Sequence, residues 1–183
     1  MQKCVLILSL IGMMAAQECI DYDGNIYETV QIGNQLWMAE NLKTAHYRNG
    51  EAIPGHNNID WSNTSEGAYA VYDDDLNNKE VYGYLYNWYV IEDERGICPV
   101  GWHVPSDDEF KLLEEYLGMC SGATETFDSQ GDWVLSNGCI DDYGNRGTNE
   151  GSLLKSSTLW MGENLEETNQ TGFSMLPSGC RYP

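Results

Sequence analysis

The stretch of sequence that decides the fold reads Gly96-Ile97-Cys98-Pro99-Val100-Gly101-Trp102-His103-Val104-Pro105-Ser106-Asp107-Asp108-Glu109-Phe110. It joins a cysteine, a turn and the start of a helix. Ser106 and Glu109 have the spacing of a capping box, in which each side chain satisfies a backbone donor at a helix N-terminus. Apolar residues continue at helical spacing, namely Phe110, Leu112, Leu113, Tyr116 and Leu117. The pattern predicts a helix that ends near Gly118, because glycine adopts the left-handed conformation at little cost.

The first 16 residues have the composition of a secretory signal peptide. Lys3 supplies a positive charge, residues 4–16 are apolar but too short to span a bilayer, and a pair of small residues ends at Ala16. We therefore expect residues 1–16 to lie outside the fold and to be removed on export. The domain is expected to occupy residues 17–183, with no membrane insertion after cleavage, because no later stretch is long and apolar enough.

The charge of the chain excludes some classes of partner. The formal net charge is −20 at pH 7. Such a protein repels the phosphate backbone of nucleic acids and anionic lipid surfaces, so neither is expected as a partner. We interpret the excess of acidic residues mainly as a source of solubility.

The cysteines predict disulfides, since an exported protein folds in an oxidising compartment. Five follow the predicted leader, namely Cys19, Cys98, Cys120, Cys139 and Cys180. The candidates for pairing are Cys98, Cys120, Cys139 and Cys180. An odd number predicts a free thiol, a bond to another chain, or a chain whose C-terminal part is missing. Disulfides that close long loops contribute about 2 to 4 kcal/mol, so reductant should lower the melting temperature.

The rest of the pattern predicts an α+β fold. Residues 26–32 and 36–42 are rich in β-branched and aromatic residues and flank a turn, which favours an N-terminal β-meander. Residues 68–72 form a third strand candidate. In the aromatic run at residues 82–91, Leu85, Trp88 and Tyr89 fit one face of a second helix, which we favour, although the alternation typical of a strand also fits. Residues 119–152 are rich in Gly, Ser, Asn and Asp and predict long irregular loops that a disulfide could hold.

Four segments of the chain, in this order, resemble the Fibrobacter succinogenes major paralogous domain, a family of secreted bacterial proteins. They are residues 23–42 (DGNIYETVQIGNQLWMAENL), 82–89 (YGYLYNWY), 98–105 (CPVGWHVP) continuing through Glu109-Phe110, and 171–179 (TGFSMLPSG). The resemblance implies a C-type lectin-like fold, with the capped helix as its second helix. It also implies further strands beyond the end of this chain, with a late cysteine there as the partner of Cys98.

Tryptophans in polar, loop-like surroundings are the candidates for ligand contact. They are Trp61, Trp133 and Trp160. An indole stacks its apolar face on a sugar ring, and its N–H adds a polar contact. The alternative is that these side chains anchor their loops. The tryptophans inside the densest motifs, Trp37, Trp88 and Trp102, are expected to pack in the core.

No cofactor is predicted. Asp21, Asp23 and Asn25 alternate as in the opening of an EF-hand loop, but Ile26 and Ile32 occupy the positions that need Gly and Glu, so a hairpin turn is favoured. A second oxygen-rich group, formed by Asp73, Asp75 and Asn77, could coordinate calcium. Runs of acidic residues usually form a solvated loop, which is the interpretation that we prefer.

Catalytic patterns are weak in this chain. No Gly-x-Ser-x-Gly nucleophile motif occurs in the sequence. Cys98 and His103 could form a catalytic pair, but a disulfide at Cys98 is favoured in an oxidising compartment, with His103 packed in the turn. We therefore predict a secreted or surface-exposed, non-enzymatic domain that binds polysaccharide or another surface ligand. The alternatives are a structural or adhesive protein that acts through protein contacts and, less favoured, an enzyme on a scaffold like the formylglycine-generating enzyme.

Overall fold

A computed structural model describes residues 3–7, 18–55, 60–61, 63–118, 124–127, 133–136, 150–160 and 169–180. Its strands and helices in chain order are β1 Val5–Ile7, β2 Cys19–Ile20, β3 Ile26–Tyr27, β4 Thr29–Ile32, β5 Gln35–Met38, β6 Tyr69–Val71, α1 Lys79–Tyr82, β7 Tyr84–Tyr86, α2 Trp88–Ile91, α3 Asp107–Tyr116, β8 Thr124–Phe127 and β9 Trp133–Ser136. These small antiparallel sheets and short helices confirm the α+β class. Within the described residues, no helix has the length and apolar character to cross a membrane.

The central sheet has three strands in the order β1-β5-β4, all antiparallel. β4 and β5 meet at a turn where Gly33 has a φ of +58°. Both faces of β5 are covered, because Trp37 and Met38 point to opposite sides and each is fully buried. The core is therefore divided by the sheet into two clusters.

One cluster surrounds the disulfide and the other surrounds Trp37. The first contains Cys4, Cys19, Tyr27, Met38, Leu42, Tyr47, Ile53, Val90, Ile97, Cys98 and Trp102. The second contains Val5, Ile32, Trp37, Leu113, Leu154 and Phe173. In the second cluster the Trp37 ring centroid lies 5.2 Å from that of Phe110 and 5.5 Å from that of Phe173. Trp37 thus packs α3 and the segment around Phe173 onto the same face of the sheet.

Residues 3–7 are part of the folded domain in this structure of the full chain, whereas the sequence pattern places them outside it. Cys4 and Cys98 form a disulfide with a Cα–Cα distance of 6.1 Å. Val5 N–H donates to the carbonyl of His103 at 2.9 Å, and His103 N–H donates back at 3.3 Å. The physical reason is that a short apolar segment can also form a β-strand when the edge of another strand is open for pairing. Removal of residues 1–16 on export stays a prediction.

Lys3 enters the interior with this strand. Its ammonium group donates to the carbonyl of Phe173 and lies 4.2 Å from the centroid of that ring. Burial lowers the pKa of Lys3 from 10.5 to about 7, since the charged form loses its hydration. A lysine that marks the start of a leader in the sequence is thus a buried residue of the full chain.

The helix predicted over residues 82–91 is correct for Trp88–Ile91 and wrong for Tyr84–Tyr86. Gly83, with a φ of +65°, ends α1, and Tyr84–Tyr86 then pairs with β6 as a strand. An added Cβ at Gly83 would lie 2.6 Å from the carbonyl oxygen of Leu42, so the chain requires glycine at this reversal. A separate short helix, α2, starts after Asn87. Trp88, expected in the core, is 64% exposed because it lies on the outer side of that helix.

The other predicted elements of the described chain are confirmed in position. Strands lie within residues 26–32 and 68–72, and β5, Gln35–Met38, overlaps the predicted strand at residues 36–42. α3 starts with a complete capping box between Ser106 and Glu109. Gly118 follows its end with a φ of +84°.

The described residues do not confirm the predicted disulfide-held loops. The described residues contain one disulfide, and the partner of Cys98 is Cys4 rather than a later cysteine. Cys180 is exposed with a free thiol, and Cys19 is buried with a free thiol. Burial raises the pKa of Cys19 to about 12. Cys120 and Cys139 lie outside the described residues, as does most of the 119–152 insert.

Candidate functional site

A groove of about 550 Å³ opens beside α2 and brings aromatic, acidic and basic side chains to one surface. Its walls come from the loop between Tyr47 and Pro54, from residues 65–67, and from Tyr89 to Arg95. We name it the Tyr89 groove. Three segments that are distant in sequence therefore have to be held together for this groove to exist.

Asn87 joins two of these segments. Its Oδ1 accepts from the backbone N–H of Ala68 at 3.0 Å and from that of Val90 at 3.3 Å. Its Nδ2 donates to the carbonyl of Glu66 at 2.9 Å. One amide side chain thus caps α2 and also fixes the strand entry that carries residues 65–67. The orientation of the amide follows from this network, because a flipped group would place its oxygen against the Glu66 carbonyl.

Paired charged side chains line part of the groove. The guanidinium of Arg95 donates to both carboxylate oxygens of Asp93, at 2.8 and 2.6 Å, and to Glu51 at 2.6 Å. It also lies 3.8 Å from the centroid of the Tyr47 ring. The bidentate bond holds the pKa of Asp93 down to about 2, so this carboxylate is ionised at neutral pH. The fork of Arg95 is therefore oriented before any ligand arrives.

Close packing against Tyr47 leaves no room for a side chain at position 67. Tyr47 is fully buried, and an added Cβ at Gly67 would lie 2.1 Å from its hydroxyl oxygen and 3.1 Å from a methyl of Val90. Glycine at position 67 lets residues 63–67 approach Tyr47 closely.

The mouth of the groove presents solvent-accessible groups. Tyr89 is 45% exposed. Ser65, Glu66 and Glu92 are also exposed and line the same cavity. An aromatic face beside hydroxyl and carboxylate acceptors can stack on an apolar ring face and accept hydrogen bonds from its hydroxyl groups. The arrangement suits a polyhydroxylated ligand.

The tryptophans predicted to contact ligand occupy three different environments. Trp61 is half-buried and lies on the loop that supplies Ser65 and Glu66. Trp160 donates its indole N–H to the carbonyl of Met175 at 2.8 Å, and the Lys155 ammonium lies 4.9 Å from its ring, so Trp160 anchors its own loop. Trp133 belongs to β9, and its side chain lies outside the described structure. Neither Trp61 nor Trp160 lines the Tyr89 groove.

Sequence reasoning did not find four of the groove residues, Tyr89, Glu66, Glu92 and Arg95. The signal that could have found them is Asn87, a preferred N-cap residue in the middle of an aromatic run. It divides the run into a strand and a helix, and so places Tyr89 on an outer surface.

The oxygen-rich groups that could coordinate calcium are engaged in turns. Asp21 accepts from the backbone and side-chain amides of Asn25 at 2.9 and 2.7 Å and from the Tyr27 hydroxyl, as in the favoured hairpin turn. Asp75 accepts from the backbone and side chain of Asn77 at 2.9 and 2.7 Å. Among the residues that can be described, no three His, Cys, Asp or Glu side chains form a group able to hold a metal ion.

Two histidines form pairs with carboxylates. His46 Nδ1 lies 2.5 Å from Asp23 Oδ1, and His103 Nε2 lies 2.7 Å from Glu109 Oε1. Cys98 is oxidised in the disulfide, so it does not serve as a thiolate partner for His103. The His103 side chain is 47% exposed rather than packed within the turn.

Comparison with known proteins gives one match. The family model of the Fibrobacter succinogenes major domain matches residues 30–183. No curated protein and no solved structure matches this chain. The matched range contains the Tyr89 groove and α3.

Proposed function

The chain belongs to the Fibrobacter succinogenes major domain family, and we propose that it is a secreted or surface-exposed, non-enzymatic domain that binds extracellular polysaccharide in the Tyr89 groove. The observation that carries the proposal is that the exposed ring of Tyr89 lines the same groove as the paired side chains of Arg95 and Asp93. The acidic net charge of the chain supports a neutral or hydroxyl-rich ligand over an anionic one.

The C-type lectin-like fold is part of this proposal. Support comes from the α+β architecture, from the capped helix α3 packed against the central sheet through Trp37 and Phe110, and from the long irregular connections. Binding residues on such connections gain precision from the scaffold beneath them. Here Asn87 and Gly67 provide that scaffold.

Preorganisation makes the groove suited to weak, repeated contacts with a polymer. The guanidinium of Arg95 is already paired, so binding does not require that side chain to be ordered anew. Glu66 and Glu92 remain exposed and can accept from ligand hydroxyl groups. We expect each repeat unit to bind weakly, and retention on a polymer to come from many units.

The test is retention of the purified protein on insoluble cellulose, xylan and chitin, measured by co-sedimentation. Tyr89→Ala should weaken retention on the bound polymer by about tenfold, as loss of roughly 1.4 kcal/mol would do. Glu92→Gln should weaken it less. Trp61→Ala measures whether the loop tryptophan contributes.

Matched controls are available on α3. Tyr116 is 66% exposed and lies outside the groove, so Tyr116→Ala should leave retention unchanged. Glu115→Gln is the control for the charge change at Glu92. Equal losses for Tyr89→Ala and Tyr116→Ala, or no retention on any polymer, would refute the groove as a polysaccharide site.

A structural or adhesive role is the second candidate, and exposed Cys180 favours it. A free exposed thiol in an oxidising compartment can join two chains through a disulfide. This role predicts a covalent dimer on non-reducing gels that Cys180→Ser abolishes, together with no response to glycans. A monomer under oxidising conditions would contradict it.

A further inference from the structure

A second cavity, of about 330 Å³, adjoins the short helix α2 and shares no lining residue with the Tyr89 groove. Trp88 and Ile91 line this cavity, whereas Tyr89 and Glu92 line the Tyr89 groove. Each pair is spaced three residues apart and so shares one face of the helix, and consecutive residues are turned by about 100°. We name the second space the Trp88 cavity. The helix α2 therefore forms a ridge between two cavities.

Trp88 presents its indole ring to solvent at this cavity. It is 64% exposed, so a ligand can reach the ring without any rearrangement of the protein. Tyr89, on the neighbouring face of α2, is exposed as well. Large aromatic surface that stays in water is unfavourable, and the flat apolar face of a sugar ring is a group that covers it by stacking. A chain that crosses α2 would therefore cover both rings.

The wall of the Trp88 cavity is mostly apolar. Its aliphatic and aromatic members beside Trp88 are Ile91, Val104, Pro105, Phe110, Phe173 and Met175. Two polar side chains also line it, and both are bonded within the protein: the Tyr86 hydroxyl donates to the carbonyl of Thr44 at 2.7 Å, and the Lys3 ammonium donates to that of Phe173. A sugar hydroxyl placed here would exchange its hydrogen bonds to water for contact with apolar side chains, which is unfavourable. The cavity therefore suits an apolar substituent.

The wall that faces α2 belongs to the scaffold. Val104 and Pro105 directly precede the Ser106 cap, and Phe110 lies in α3 with its ring centroid 5.2 Å from that of Trp37. The cavity thus lies between a short helix and the long helix α3, and its shape does not depend on a bound ligand. These wall residues all follow residue 16, so the predicted removal of the leader would leave them in the chain.

We propose that the polysaccharide bound in the Tyr89 groove is acetylated and crosses α2, so that one of its acetyl groups enters the Trp88 cavity. This inference rests on the proposed function and adds the substrate class to it. One sugar ring stacks on Trp88 while its acetyl methyl contacts the apolar wall at Val104. A neighbouring unit places its hydroxyl groups beside Glu92. An acetyl group fits because it is neutral and ends in a methyl, whether an oxygen or a nitrogen of the sugar carries it.

The experiment is a calorimetric titration of the full, oxidised chain with two matched pairs of soluble oligosaccharides. One pair is an O-acetylated xylohexaose and the same sugar after deacetylation by mild alkali. The other is the β-1,4-linked hexamer of N-acetylglucosamine and that of glucose, so the two pairs distinguish an O-acetyl from an N-acetyl ligand. In at least one pair the acetylated member is expected to bind about fourfold more tightly, the factor that burial of one methyl group gives.

The outcomes separate this inference from the proposed function. Equal binding within both pairs would overturn the acetyl assignment while leaving a polysaccharide site in the Tyr89 groove. Absence of binding by all four sugars, together with no retention on any polymer, would refute the polysaccharide site and the acetyl assignment with it.

Variants of the cavity locate the acetyl group. Trp88→Ala should abolish the preference for the acetylated sugar, and it should fold normally because Trp88 is largely exposed, which its melting curve checks. Trp88→Phe keeps a ring and should retain part of the preference. Val104→Thr has nearly the same shape but adds a hydroxyl to the wall, so it should lower the preference while leaving Trp88 in place.

Variants outside the cavity are the controls. Tyr89→Ala should weaken the binding of both members of a pair by the same factor, so the preference for the acetylated sugar persists. Tyr116→Ala, which lies in neither cavity, should change neither affinity. A preference that persists in both Trp88→Ala and Val104→Thr, or that is lost only in Tyr89→Ala, would overturn the assignment of the acetyl group to the Trp88 cavity.

Discussion

Two helix starts, at Ser106 and at Asn87, use the same chemistry for different purposes. Ser106 accepts from Glu109 N–H at 3.3 Å, and Glu109 accepts from Ser106 N–H at 2.7 Å, so the cap is closed within four consecutive residues. Asn87 caps only the four-residue helix α2. Its side chain also accepts a hydrogen bond from the backbone N–H of Ala68 and donates one to the carbonyl of Glu66. The first cap starts a helix, whereas the second joins two parts of the chain.

This difference explains why one region forms the scaffold and the other forms the groove. α3 is ten residues long and buries Leu113 in the Trp37 cluster. α2 is too short to be stable alone, and its position depends on tertiary bonds. The position of Tyr89 therefore depends on the hydrogen bonds that the Asn87 side chain makes.

The largest effect is expected from Asn87→Ala. The substitution removes the cap of α2 and leaves Ala68 N–H without its side-chain acceptor, so the free energy of unfolding should fall by about 2 kcal/mol. Retention on polysaccharide should also fall, because the Asn87 side chain no longer joins residues 65–67 to the helix that carries Tyr89. Urea denaturation and the co-sedimentation assay measure the two effects.

Asn87→Asp is the matched variant. It keeps an acceptor for Ala68 and Val90 but loses the donor to Glu66, so its stability should lie between those of the parent and Asn87→Ala. If Asn87→Ala costs no more than the loss of the Ser106 cap, Asn87 acts as a local cap only, and the comparison fails.

A smaller effect is expected from Ser106→Ala. It removes one cap bond of α3, which should lower the free energy of unfolding by about 1 kcal/mol. Retention on polysaccharide should not change, because the Tyr89 groove takes no wall from α3. Ser106→Thr keeps a hydroxyl and should retain most of the stability. Loss of retention in Ser106→Ala would show that the two regions are coupled.

The smallest effect on the free energy of unfolding is expected from lowering the pH. Burial alone would raise the pKa of Glu109, but the hydrogen bonds from Ser106 and His103 outweigh it and lower that pKa below 4.5. The unfolded state then binds more protons than the folded state, so the stabilisation is present above pH 4.5 and is lost as the pH falls through the lowered value. We expect this contribution to be smaller than the effect of Ser106→Ala.

Denaturation midpoints at pH 7, 5, 4 and 3 measure the acid effect. Glu109→Gln should make the curve of stability against pH less steep below pH 5. Asp93→Asn should act in the same direction at lower pH, because Arg95 holds the pKa of Asp93 at about 2. A Glu109→Gln curve that parallels the parent would contradict the assignment.

Much of the fold can be predicted from the chain, and little of the site. The capping box at Ser106, the end of α3 at Gly118 and the strands within residues 26–42 depend on neighbours in sequence, and the pattern predicts them. The tyrosine run fits a helix as well as a strand by its spacing, so periodicity alone favours the wrong element. Pairing with β6 decides the matter, since it gives Tyr84 and Tyr86 a strand partner at Val71 and Tyr69.

The sequence by itself determined the family, the α+β class and the helix that Ser106 starts, because these depend on patterns and on bonds between residues three or four positions apart. Only the tertiary structure decided that Cys4 pairs with Cys98 across 94 positions and that Arg95 reaches Glu51 across 44. It also decided that Trp88 and Tyr89 line two different cavities. Contacts of this kind depend on which distant segments pack together, and no local pattern of residues encodes that packing.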